Sequence, residues 1–399
     1  MTFQKYSQDN KTFPTLVLIG TFILFAAFFI SFEQIYMLVL LAILVMLLYG
    51  MSVFYEKHVD DYLSIEFPRA NIRHYQGDQG ELEVTIEQKG ILPLFNAILT
   101  VEMDDIVRFE EGRHVRRRYA TTFQQAFNLM FWEKRTFKIP YSTEKRGVAR
   151  IHHVEIKAPN MFGFGSIFMR SLTRFKQEVI VYPKKSAVAN IDLMAPKRMG
   201  YHRANHSLFD DHTLPVGTRD YEPGDAFNRI HWKASAKEGN LQTKVFEKAS
   251  QISWCFLVNI HDEYGRGVHE NIEHLLEKTA YMMHYATTHQ IPYRLFINVS
   301  SIDQIPFMHL LEGEGQKHYQ RSLELLARLK LLTFTAKYER LLHFVDKHES
   351  PPAYIIHVGH VRASQLAYLK RLERRGSALY FLNEEGLHKT YQGEVAMHG

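Results

Sequence analysis

Residues 13–30 read FPTLVLIGTFILFAAFFI and residues 35–55 read IYMLVLLAILVMLLYGMSVFY, and neither run carries a charge. Between them stands Ser31-Phe32-Glu33-Gln34. Each run approaches the roughly 20 residues that cross about 30 Å of hydrocarbon at ~1.5 Å per residue. In hydrocarbon a helix satisfies its own backbone polar groups, so the pattern predicts a transmembrane helical hairpin over residues 13–55. A cleaved signal peptide fits less well, because no small-residue cleavage site follows the first run and the second begins at once. Lys5 and Lys11 precede the first run, Glu33 is the one charge in the turn, and Lys57 follows the second. The positive-inside rule then puts both ends in the cytoplasm, with residues 1–12 as a cytoplasmic N-terminus of a two-helix cell-membrane protein.

Outward from this anchor, the chain of 399 residues is too long for one ordinary domain. A hydrophobic fraction of 46% with 23% charged residues indicates folded bodies rather than disorder. The single cysteine, Cys255, excludes an internal disulfide framework. A net charge of +5 is mild for a dedicated nucleic-acid binder and suits a body near anionic lipid. Arg113, Arg116, Arg117 and Arg118 cluster in GRHVRRRY, which reads as a solvated hairpin, a contact for lipid phosphates or a contact for an acidic partner. Aromatic interleaving is thin there, so no nucleic-acid partner is expected.

Over residues 60–183 the pattern turns to short alternating stretches. Leu63-Ser64-Ile65-Glu66-Phe67 and Leu82-Glu83-Val84-Thr85-Ile86 alternate with period two around Gln76-Gly77-Asp78-Gln79-Gly80. Strands at this spacing predict an immunoglobulin-like β-sandwich. Residues 184–250 form a signature region and linker. Over residues 251–399 buried runs such as WCFLVNI (254–260) alternate with amphipathic helical stretches at 268–289, 317–331, 337–348 and 362–375. That alternation predicts an α/β domain of Rossmann type, a mainly parallel sheet with helices on both faces. Ligands of such sheets sit beyond the carboxyl ends of the strands, which points to His261-Asp262-Glu263-Tyr264-Gly265.

The most specific stretch is residues 219–237, RDYEPGDAFNRIHWKASAK. Pro223-Gly224 is a turn pair, and Asp225 after it stands where a helix N-cap belongs. Helical spacing then places Arg229, Lys233 and Lys237 on one edge, and Gly239 ends the helix. Arg219 is positioned to pair with Asp225 across the turn.

Arg219, Tyr221, Gly224, Asp225, Arg229, His231, Trp232, Lys233 and Ser235 together resemble the signature of the domain of unknown function 58 family. The two apolar runs, the β-region, Val181-Tyr182-Pro183 and the signature follow the order of that family, with Asn160-Met161-Phe162-Gly163 departing from its usual Asp-Pro-Phe-Gly. The resemblance implies a C-terminal von Willebrand factor A-like α/β domain and a non-enzymatic membrane adaptor. It also implies a partner, an AAA+ ATPase of the MoxR type, in an envelope-linked assembly or maturation process, with the signature residues as the partner-binding set.

Two rival functions stand beside this one. Von Willebrand A-type domains hold Mg²⁺ through Asp-x-Ser-x-Ser, oxygen ligands that suit a hard cation. The matching positions here are Asn259, His261 and Glu263, so the leading carboxylate and both hydroxyls are missing and no metal or other cofactor is expected. The other rival is an envelope enzyme using Asp225, His231 and Ser235. Their spacing of six and four residues does not build a triad on one helix, so no catalytic residue is expected. A structural role for the same network, with Trp232 filling a core, is the plainer alternative.

Overall fold

A computed structural model describes residues 3–8, 18, 20–22, 25, 32–68, 71–110, 112–116, 119–161, 165–194, 202–203, 210–250, 253–265, 267–330 and 334–390. The chain divides into two compact units, Met1–Tyr182 and Pro183–Gly399.

The first unit is a β-sandwich with an apolar helix rooted in it. Strand β1 (Phe3–Gln8) pairs antiparallel with β11 (Ser166–Ser171), which pairs in turn with β10 (Gly147–Pro159). That sheet continues through β5 (Leu94–Asp104) and β8 (Ala120–Leu129) to β7 (Arg113–Arg116). Strand β12 (Glu178–Tyr182) branches from β10 and takes β3 (Asn71–Tyr75) as a parallel partner. The facing sheet has the order β2 (Leu63–Glu66), β4 (Gln79–Gln88), β9 (Lys134–Thr143), β6 (Val107–Phe109). Alternation within each strand supplies the core: Leu82, Val84 and Ile86 from β4 and Leu99, Val101 and Met103 from β5 belong to one buried cluster.

Helix α1 (Phe32–His58) ends inside that cluster. Tyr55 and Val59 are members of it, both essentially unexposed. The Tyr55 hydroxyl donates to Pro93 O at 2.7 Å, and the Gln88 side chain donates to Val59 O at 3.2 Å. Lys5 Nζ closes the C-terminal turn, donating to Lys57 O at 2.6 Å and pairing with Asp60 at 2.5 Å. A cation at this end offsets the partial negative charge of the last free carbonyls.

The second unit holds two sheets. The larger has the order β18 (Phe307–Gly313), β17 (Tyr293–Ser300), β16 (Trp254–Val258), β19 (Tyr354–Val358), β20 (Ala378–Leu382), β21 (Leu387–His388). Its four inner strands are parallel, and every residue of β16 and β19 is buried. Helices follow at Ile272–Thr288, Gly315–Arg328, Tyr338–His348 and Ala363–Arg374. The smaller sheet is antiparallel, with β15 (Gln242–Ser250) between β13 (His202–Arg203) and β14 (Asp210–Asp220).

The expected architecture is therefore corrected. Strands dominate, 21 of them among the described residues. One helix among those residues, spanning Val39–His58, is long and apolar enough to cross a membrane, so the structure does not give a transmembrane helical hairpin. Most of residues 13–30 lie outside the described residues, and the expected N-terminal segment 1–12 contributes the strand Phe3–Gln8. Nor does the C-terminal body match the expected Rossmann or von Willebrand A-like domain, although the four inner strands of its sheet are parallel. Both edges of its sheet are antiparallel, and a separate antiparallel sheet precedes it. Short edge strands such as Phe307–Gly313 escape a periodicity reading because only one of its seven residues is fully buried. Arg116 of the arginine cluster pairs with Glu144 at 2.9 Å, whereas Arg117 and Arg118 lie outside the described residues.

Candidate functional site

Residues 221–241 are an excursion between two antiparallel strands. Asp220 faces Gln242 and Arg219 faces Thr243 in the β14–β15 ladder, so the excursion leaves and returns at one point. Gly224 adopts φ +117°, which an L side chain rarely takes, and there the chain reverses. Asp225 closes the reversal: its amide donates to Glu222 O at 3.0 Å, and its Oδ2 accepts from Glu222 N at 3.1 Å.

The same carboxylate ties the turn to both strands. Arg219 Nη2 donates to Asp225 Oδ1 at 2.6 Å, and Thr243 Oγ1 donates to Oδ2 at 3.0 Å. The Arg219 guanidinium holds the Asp225 carboxyl below its usual range, with the Glu222 amide adding to the effect. Reciprocally, the Asp225 hydrogen bond raises Arg219.

Asp225 is not a helix cap. A 3₁₀ turn spans Phe227–Arg229, and helix α2 (Trp232–Glu238) starts only after His231. His231 is the N-cap: its Nδ1 accepts from Ala234 N at 3.0 Å. Ser235 Oγ donates to His231 O at 3.1 Å and accepts from Gln242 N at 2.8 Å, so the hydroxyl staples α2 to β15. Gly239 ends α2 in the left-handed region at φ 77°. Arg229, Lys233 and Lys237 do not share one helix, because Arg229 precedes α2. Ile230, not Trp232, is the buried apolar residue of the excursion.

Trp232 is 64% exposed and Phe227 74% exposed. Lys233 and Lys237 are exposed on the same short helix, and Tyr221 lies half-buried with its ring 6.5 Å from that of Phe227. The signature thus presents aromatic and basic side chains on a frame held by Arg219, Asp225, His231, Ser235 and Thr243. Thr243 and Gln242 lie beyond the signature, and only the strand pairing brings them to it.

Ser235 and His231 meet through the His231 backbone carbonyl, while the imidazole Nδ1 is occupied by the helix cap. Asp225 spends its carboxylate on Arg219, Glu222 and Thr243.

At the carboxyl ends of the parallel strands, Asn259 and Asn298 face each other. Asn259 Oδ1 accepts from Asn298 Nδ2 at 2.9 Å and from His261 N at 3.2 Å, and its Nδ2 donates to His360 O at 2.8 Å. Asn298 Oδ1 accepts from Ile260 N at 2.8 Å. Burial, with Arg362 nearby, lowers the His261 imidazole. Asn259 and Asn298 thus commit their amides to cross-linking loops, whereas Mg²⁺ takes several carboxylate or water oxygens. Among the described residues no three His, Cys, Asp or Glu side chains converge to hold a metal ion. Asp262 accepts from Gly267 N at 2.9 Å, and Glu263 is exposed.

No protein-family model and no curated protein matches the chain. Among solved structures, it is similar to a non-cellulosomal cohesin from Archaeoglobus fulgidus at 10% identity and a TM-score of 0.21, covering 30% of this chain and 90% of that one. A type I cohesin–dockerin complex from Clostridium thermocellum gives 9% identity and a TM-score of 0.21, over 30% of this chain and 94% of the other. A β-glucosidase from Listeria innocua gives 12% identity and a TM-score of 0.18, over 30% of this chain and 16% of the enzyme. Likeness at this level carries no argument about function.

Proposed function

We propose that this chain is a membrane-anchored, non-enzymatic adaptor of the domain of unknown function 58 type, whose 221–241 excursion docks an AAA+ ATPase of the MoxR type. One observation carries the reading: Phe227 and Trp232 stand exposed on a frame whose polar groups are committed to holding it in shape. Exposed aromatics on a rigid support, with lysines beside them, are what a protein partner buries as hot spots. A substrate pocket would need a free acid, base or nucleophile, and His231, Ser235 and Asp225 are engaged elsewhere.

The apolar Val39–His58 helix is compatible with a membrane anchor. We further propose that the soluble bodies lie in the cytoplasm. Strand β1 precedes residues 13–30 and the sandwich follows α1, yet the two share one sheet and so lie on one side of a bilayer. Lys5, Lys11 and Lys57 favour the cytoplasmic side for both.

The test is purification of the tagged full chain in mild detergent with and without ATP, beside a Phe227→Ala/Trp232→Ala double variant. The expected result is nucleotide-dependent retention of a MoxR-type ATPase that the double variant loses while its circular dichroism is unchanged. Equal retention by both proteins, or no ATPase with either, overturns the reading.

A further inference from the structure

We propose that the β-sandwich rests directly on the bilayer, its loops around the base of α1 entering the interfacial layer as a second contact beside the helix. The inference rests on the reading of α1 as a membrane anchor. Three loops meet at that base. Buried Gln88 donates from its side chain to Val59 O at 3.2 Å and to Leu92 O at 2.8 Å, joining the helix end to the β4–β5 loop. Gln88 N donates to Glu133 O at 2.9 Å, and Trp132 N donates to Gly90 O at 3.3 Å, which adds the β8–β9 hairpin. The Asn160 side chain donates to Ser52 O at 3.3 Å, bringing the start of the β10–β11 loop level with a residue almost two turns inside the helix end.

The tips of these loops are apolar and face solvent. Ile91 is 64% exposed and Trp132 68%, and Met130, Phe131 and Met161 are exposed beside them. The exposed surface of α1 continues the apolar character to its last turns through Met51, Val53 and Phe54. Apolar loop tips thus stand at the last turns of the apolar helix, where Lys57 and His58 also lie. Tryptophan and other aromatics at such a junction match the zone where headgroups meet acyl chains, since their rings suit a half-wet layer.

Trp132 adds a separate observation. Its backbone sits at φ 53°, in the left-handed region that bulky residues rarely occupy. A glycine there would relax the hairpin, so a tryptophan held against backbone strain implies a gain made by its side chain, and strain of this kind concentrates at binding sites. The ring is mostly exposed and meets only the edge of exposed Phe131, 5.6 Å between centroids, so burial in the protein core does not supply that gain. The opposite pole of the sandwich is charged instead, with Lys145 paired to Asp105 at 2.9 Å and Arg116 to Glu144 at 2.9 Å. Strand β9 separates the poles by ten residues, about 30 Å at ~3.3 Å per residue.

The experiment uses the full chain in phosphatidylcholine–phosphatidylglycerol vesicles, with an environment-sensitive fluorophore on single introduced cysteines. Native Cys255 is fully buried and takes no label. Labels at Ile91→Cys and Trp132→Cys are quenched by lipid carrying a spin label near the headgroup, a Leu44→Cys label in α1 by deep spin-labelled lipid, and Lys145→Cys is the control. Expected is several-fold stronger shallow quenching at 91 and 132 than at 145. Equal quenching at 91, 132 and 145 with deep quenching at 44 overturns this inference and leaves the anchor standing. No quenching at 44, 91 or 132 overturns both. A Trp132→Gly variant, which relaxes the backbone and so keeps the fold, is expected to weaken quenching at 91, and unchanged quenching there counts against the role of the ring.

Discussion

The hydroxyl of Tyr55 reaches the carbonyl of Pro93 at 2.7 Å, joining the last turn of the apolar helix to the loop that opens the central strand of the sandwich. With Val59 beside it in the core, the helix end is part of the β-domain and not a flexible tether.

Removal of that hydrogen bond by Tyr55→Phe is expected to cost about 1 kcal/mol, the usual net worth of one intramolecular bond. Tyr55→Ala also empties a fully buried site and is expected to cost about 3–5 kcal/mol, as for other large aromatic truncations. Urea unfolding of the purified chain in detergent, followed at the sandwich, measures both. Equal losses for the two variants would show that the ring contributes no packing.

Asp225→Ala is expected to leave the C-terminal α/β sheet folded while the Glu222 amide, bonded to Oδ2, exchanges much faster with deuterium. The pH dependence has a definite sign. A carboxyl whose folded value lies below its ordinary 3.8 stabilises the excursion above pH 3.8, and that contribution is lost as pH falls through the depressed value. Protection of Glu222 that is unchanged between pH 6 and strong acid would contradict the arrangement.

His357 is the most deeply buried of the second unit's acid-sensitive histidines, which also include His261, His284, His318 and His360. Burial lowers its imidazole from 6.5 to about 3, and the ring sits neutral between the Tyr338 hydroxyl at 2.7 Å and Gly359 O at 3.1 Å. The unfolded chain binds this proton near pH 6.5 and the folded chain only near 3. The contribution of His357 to stability is therefore full above pH 6.5 and falls by about 1.4 kcal/mol per pH unit below it. Denaturation followed by Trp254 fluorescence reads the pH slope, and His357→Gln is expected to make it shallower by that one proton's share.

Cys255 is expected to resist thiol reagents at pH 8 in the folded chain, since burial pushes its thiol up to about 12 and leaves it no solvent access. Denaturant is expected to release one reactive thiol per chain. Rapid labelling without denaturant would mean that β16 opens readily.

Several features were legible along the chain because their cause is local. Two uncharged runs declare an apolar segment by composition. Period-two alternation from Leu82 to Ile86 declares which side chains a strand buries, and Pro223-Gly224 declares a reversal that the φ of Gly224 confirms. The proximity of Arg219 to Asp225 also follows from a turn only a few residues long.

What tertiary structure decided were the partners. Nothing near Phe3 in the sequence indicates that it pairs with Ser171, or that Thr243 completes the ligation of Asp225. Trp232 reads as a core residue by type yet stands in solvent, because strand pairing at Ile230–Thr243 buries Ile230 and turns the short helix outward. Asn259 reads as a damaged metal ligand until Asn298, from the neighbouring strand, takes its amide into a loop cross-link. The sequence by itself determined which residues seek burial and where the chain turns, since those follow from side-chain chemistry and short-range sterics. The tertiary structure determined which surfaces meet, since contacts between residues far apart in the chain depend on register and packing that no local pattern encodes.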